Sequence, residues 1–181
     1  MKAMKAADNL SSHPSHPATV HWPLALLTTA YGLDVLYPIL PILPTTLLSY
    51  LPAGPEVARC SYYALSAGLL ASLPAVVTGI ANAAQSFKAQ GMYEADGKTL
   101  KKKTKVIIAH AVSNDLVIAV SAYIWWSKRQ ATTLTYAPET WMVLLSALLG
   151  VGILFAANLG GSLIYNYGMG VSIGKGKGKS S

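Results

Sequence analysis

The sequence predicts an all-α fold, a polytopic bundle of four transmembrane helices. Three observations carry that expectation. Of the 181 residues, 52% are hydrophobic and 12% charged, about half the charged share of an average soluble domain. Four apolar stretches are each long enough to cross a hydrocarbon core of about 30 Å at about 1.5 Å rise per residue. Aromatic residues gather at the ends of those stretches, where amphipathic rings favour a membrane–water interface.

The elements follow in order. Residues 1–20 form an N-terminal segment with no apolar signal region and without the Arg-rich, acid-free character of a transit peptide, so the first helix is expected to act as its own insertion signal. That helix is expected from about Trp22 to Ile42. Pro23 suits a first helical turn, and Pro38, Pro41 and Pro44 end the segment. The second span runs from about Ser61 to Phe87. Its internal Pro74 is tolerable where neighbours satisfy the freed carbonyl, and its length implies tilt or overhang. Lys105 on one side and Lys128 and Arg129 on the other bracket the third span, Val106 to Trp126. The fourth runs from about Thr140 to Tyr165. Residues 21–166 thus read as one membrane domain, and 167–181 as a Gly/Lys-rich tail whose charge is open to anionic headgroups. The sequence shows no internal repeat, so a transporter built from duplicated halves gains no support.

Charge gives the expected orientation. There are 14 Lys and Arg against 7 Asp and Glu. In a bundle of alternating direction, Lys2, Lys5, Lys88, Lys98, Lys101, Lys102, Lys103, Lys105, Lys175, Lys177 and Lys179 share the side of both termini. Arg59, Lys128 and Arg129 lie on the other side. Eleven against three places both termini on the cytoplasmic or matrix-like face. Tyr50, Tyr62, Tyr63, Tyr123, Trp125, Trp126 and Trp141 would mark one interface, and Trp22, Tyr165 and Tyr167 the other. The basic residues sit in short runs between apolar stretches rather than along a folded face, so nucleic acid is not an expected partner. The lipid bilayer is. A redox partner protein and a homo-oligomer are both compatible with this arrangement. A single cysteine, Cys60, excludes an intramolecular disulfide.

Intramembrane polar residues are costly and call for a functional hypothesis. His21 opens the first span and His110 lies about one turn inside the third, so both fall at similar depth on the basic side. Helix 2 ends in that leaflet with Thr78, Gly79, Asn82 and Gln85, and helix 4 with Asn158, Gly160, Gly161 and Ser162. His13 and His16 precede the first span, and Ser113 and Asn114 stand near His110. Two histidines on facing helices, with a double glycine beside them, match the needs of one b-type haem: axial nitrogens and room for a flat ring. On this reading His21 and His110 are the axial ligands, His16 is an outer or alternative ligand, and Gly160 and Gly161 make room. Two other readings stay open. One is a non-haem metal on His13, His16, His21 and His110; the other is histidines satisfied by hydrogen bonds, with the glycines serving tight packing. Asp34 and Asp115 lie near the middle of their spans. At about 100° per residue each is some 140° from the neighbouring His21 or His110, so they suit either helix pinning or proton and ion transfer. Walker, nucleophile-elbow and H-E-x-x-H motifs are missing, and no enzyme class is assigned. The rival to electron transfer is a cofactor-free membrane scaffold, or a transporter of small solutes or protons.

The stretch His16-Pro17-Ala18-Thr19-Val20-His21-Trp22-Pro23 resembles the opening of a family of small four-helix integral membrane proteins catalogued as a domain of unknown function. So do Asp34, His110 and the closing Gly160-Gly161-Ser162-Leu163-Ile164-Tyr165 with Gly168, Gly170 and Val171. The likeness spans about Pro14 to Val171. It implies the four-helix fold and a membrane location, and the occurrence of relatives beside cytochrome-like modules leans toward haem. Ser162, Ile164 and the extra His13-Pro14 depart from the family pattern.

Overall fold

The computed structural model describes residues 15–130 and 135–169. Four long helices dominate them: α1 (Ser15–Leu36), α2 (Gly54–Gln90), α3 (Lys102–Gln130) and α4 (Thr140–Tyr165). All four are long and apolar enough to cross a membrane, α1 together with its continuation to Ile42. No strand occurs among the described residues. The expected four-helix membrane bundle is the observed one.

Three helix starts lie earlier than the sequence suggested, α3 by four residues and α1 and α2 by seven each. α1 begins at Ser15 rather than near Trp22 and runs through two prolines. Pro17 falls in the first turn, whose N–H groups lack helical partners in any case. Pro23 removes one interior hydrogen bond, but its ring is buried in the bundle. α2 begins at Gly54 because Glu56 accepts the Ala53 N–H at 3.0 Å and Pro55 sits in the first turn, where its fixed φ is helical. Its 37 residues reach about 55 Å, well beyond the hydrocarbon core. Pro38 and Pro41 convert the end of α1 into a 3-10 segment, Tyr37–Ile42. A single turn, Thr45–Leu48, then leads to α2.

The helices pack in a ring, each against its two neighbours, so α1 and α3 run in the same direction and face each other across the axis. Gly68 brings α1 and α2 close: a Cβ there would stand 2.7 Å from Leu27 Cδ2. Leu27, Ala30, Tyr31, Leu65, Val117, Ile124, Met142, Leu149 and Ile153 fill the core. The outer surface is apolar too, with Leu70, Leu73, Val77 and Ile80 on α2 and Leu144, Leu148, Val151 and Leu154 on α4 exposed. In water such a surface would drive association; in lipid it is the expected exterior.

α1 and α3 share a pattern of burial. Pro23, Leu27, Ala30 and Asp34 are buried on α1, and Val117, Ser121, Ile124 and Lys128 stand 94 residues later, buried on α3. α1 and α3 therefore correspond in burial register. The sequence conceals this because matching positions carry different chemistry, Leu27 against Ser121 and Asp34 against Lys128.

Candidate functional site

Polar side chains concentrate at two levels of the bundle axis. At one end Asp34 and Lys128, each 1% exposed, form an ion pair of 2.5 Å. The Lys128 ammonium also donates to Ser61 Oγ at 3.0 Å. Ser61 donates to Asp34 Oδ1 at 2.5 Å, and Ser146 to Asp34 Oδ2 at 2.9 Å. Each helix thus contributes one residue. Just inside this tetrad Tyr31 and Ser121 hydroxyls meet at 2.5 Å. No buried side-chain polar atom among the described residues lacks a partner. This end is closed, neutral and fully bonded, a description that fits a structural clasp.

Lys128 was counted above as an interfacial flank, but it is an interior residue. Asp34 lies at the ion-pair end, not at mid-span, and it faces Lys128. The pairing follows from helix periodicity: Asp34 comes 18 residues after His16, and Lys128 comes 18 after His110. Eighteen residues make five turns at about 3.6 residues each, so each histidine shares a face with the ion-pair partner on its own helix. Ser61 and Ser146 carried no sequence signal, since a lone serine in an apolar helix is compatible with any face.

The histidine end is open. The rings of His16 on α1 and His110 on α3 meet edge-on, with centroids 6.4 Å apart and planes at 84°. His110 Nδ1–H donates to the Ala156 carbonyl at 2.9 Å, which leaves the lone pair of the neutral ring on Nε2. Asn114 donates to the His110 carbonyl at 2.7 Å. His16 Nδ1 meets Thr78 Oγ1 at 3.1 Å, and the Thr78 hydroxyl stands 2.9 Å from the Pro74 carbonyl. Thr19 donates to the His16 carbonyl at 2.9 Å. Each ring lies against a glycine of the neighbouring helix. A Cβ on Gly79 would come within 3.0 Å of His16 Cε1, and one on Gly160 within 2.9 Å of His110 Cε1.

Around the pair lies a cavity of about 510 Å³, walled mainly by apolar side chains such as Val20, Leu24, Val76, Ile107 and Ile153. A volume of that size is typical of small-molecule and cofactor sites. His21, Asn82, Asn114, Asp115, Gly160 and Gly161 also line it. His21 is exposed on the wall, and the ring next to His110 belongs to His16. Gly161 has nothing within 4 Å of a hypothetical Cβ, so it leaves open space, whereas Gly160 seats a ring. Asn158 is exposed on α4 and lies off the cavity wall. His13 lies outside the described residues. Among the described residues no three His, Cys, Asp or Glu side chains converge as a metal site.

A family model described as "Predicted membrane protein (DUF2231)" matches residues 12–173. The chain belongs to this family. The DUF2231 match covers both polar levels and all four spans, and it assigns membrane location without a chemistry. Neither a curated protein nor a solved structure matches the chain.

Proposed function

We propose that the histidine end holds one b-type haem for electron transfer, with His16 and His110 as the residues that would hold its iron. The observation that carries this is the ring spacing. Metal–imidazole bonds of about 2.0–2.1 Å and a five-membered ring radius of about 1.1 Å put two imidazoles on opposite sides of one metal about 6.3 Å apart, centroid to centroid. A tetrahedral ion shared by the same rings would bring them to about 5 Å. The observed 6.4 Å matches the separation that two imidazoles would need to hold one metal ion between them. The His110 tautomer also suits ligation, because an imidazole fixed through Nδ1–H to a carbonyl presents Nε2 to a metal.

The residues present fit the group. His16 and His110 would hold the iron, Gly79 and Gly160 fix the ring positions of those histidines, and the apolar wall would take the flat macrocycle. Haem supplies a one-electron carrier. We further infer that both termini face the cytoplasmic or matrix-like side. Supporting this, Lys88, Lys98, Lys101, Lys102, Lys103 and Lys105 lie at the histidine end. With Lys128 buried in its ion pair, Arg59 and Arg129 are the exposed cations among the described residues at the opposite end. The rival scaffold reading draws on the closed Asp34–Lys128 tetrad, which needs no ligand to be satisfied.

The test is a reduced-minus-oxidised optical spectrum of the detergent-purified protein from haem-sufficient cells, with metal analysis. A Soret band with b-type α and β bands and about one iron per chain is the expected result. A colourless, iron-free protein overturns the proposal and leaves the scaffold.

A further inference from the structure

Asp115 is the polar residue that the fold does not explain. It sits near the middle of the α3 span and is exposed. It has no hydrogen bond or ion pair among the described residues. Asp34, by contrast, is bonded from three other helices. A bare carboxylate at membrane depth is costly and marks a functional position by default. A helix-pinning role would have given it a donor. Its surroundings suggest what it does instead, because it lines the same cavity as the histidine pair. It stands five residues after His110, about 7.5 Å further along the helix axis.

We propose that Asp115 is the proton acceptor of the redox site, binding one proton when the site gains one electron and releasing it on reoxidation. This inference rests on the haem reading. A bound haem would supply a one-electron centre, and a change of charge there would act strongly on a nearby carboxylate in surroundings of low polarity. The electron comes from a one-electron reductant and the proton from water, so the net charge near the cavity is unchanged by the step. The cavity wall also carries Asn82 on α2 and Asn114 on α3. The other titratable groups on its wall are His16 and His21 from α1, His110 from α3 and Tyr165 from α4; α2 contributes none.

Redox titration of the purified holoprotein across pH tests the proposal, together with the redox-difference infrared spectrum. Coupling of one proton to one electron changes the reduction equilibrium tenfold per pH unit, about 59 mV. The wild-type potential is expected to fall with rising pH, by up to that slope. Asp115→Asn is expected to flatten it, and His21→Ala to preserve it. A protonated-carboxyl infrared band should appear on reduction and vanish in Asp115→Asn. A pH-independent wild-type potential, or a slope that survives in Asp115→Asn, overturns the proposal while leaving the haem intact. A protein without haem removes both.

Discussion

At the residue scale the most consequential contact is the one that joins Asp34 to Lys128. Removing one partner of a buried, hydrogen-bonded ion pair leaves the other charge without compensation, at a cost of about 3–5 kcal/mol. Asp34→Ala and Lys128→Ala are each expected to lose about that much stability in detergent unfolding. The double change Asp34→Leu/Lys128→Met should recover most of it, since apolar replacements of a buried pair are often neutral. Equal destabilisation by the double variant would mean that the pair does more than satisfy itself. Asp34 was legible in the sequence as an intramembrane acid, but its partner was not. Lys128 stands beside Arg129 at the end of an apolar stretch, where interfacial flanks are found, and only its 18-residue spacing from His110 sets it apart. The same arithmetic applied to His16 rather than His21 would have exposed both faces. Gly160 makes a second test. A methyl group there meets the His110 ring at 2.9 Å, and crowding of a packed site costs about 1–3 kcal/mol. Gly160→Ala is therefore expected to displace His110, whereas Gly161→Ala, with open space around it, should be tolerated.

At the element scale the helices were legible, but their ends were less so. Apolar length marked each span. The start at Ser15 was missed because Pro23 was read as marking the first turn, although α1 runs through it; Pro55 sits in the true first turn of α2, where it breaks no helical bond. The α2–α3 connection shows how local chemistry fixes a loop that hydropathy cannot resolve. Asp96 accepts from the Thr99 hydroxyl at 2.5 Å and from the Thr99 and Lys98 N–H groups at 2.9 Å each. These bonds, the Thr99 hydroxyl foremost, hold its carboxyl below the usual carboxylate range. A depressed folded value means that the contribution is present above the unfolded value and is lost as pH falls through the folded one. The Lys98 and Thr99 amide resonances in micelles are therefore expected to hold steady down through the ordinary carboxylate range and to shift only below it. A midpoint at the ordinary value would show that the carboxylate does not hold this turn. Gly91, at φ 67° and ψ 163°, occupies backbone space open almost only to glycine. Gly91→Ala should cost about 1–3 kcal/mol locally.

At the scale of the whole molecule the bundle separates two tasks along one axis. A closed ionic clasp ties all four helices at one end, and an open cavity with two imidazoles occupies the other. Composition and hydropathy were enough to establish the four-helix membrane fold. The cavity's histidine pair was only half legible: His110 was identified, but its partner was taken as His21, because the helix was expected to begin too late to carry His16. Orientation can be checked through the single native cysteine. Cys60 is exposed near the start of α2, at the ion-pair end. A membrane-impermeant maleimide should label it on intact cells. A cysteine placed at Lys98 in a Cys60→Ser background should react only after permeabilisation. The reverse pattern would invert the proposed orientation.

Haem occupancy compared across three variants tests the central claim most directly. The account expects His16→Ala and His110→Ala to lose the bound haem, measured as haem per folded chain, while His21→Ala retains it close to the wild-type level. Loss in His21→Ala with retention in His16→Ala would contradict the histidine pair on which the functional reading stands.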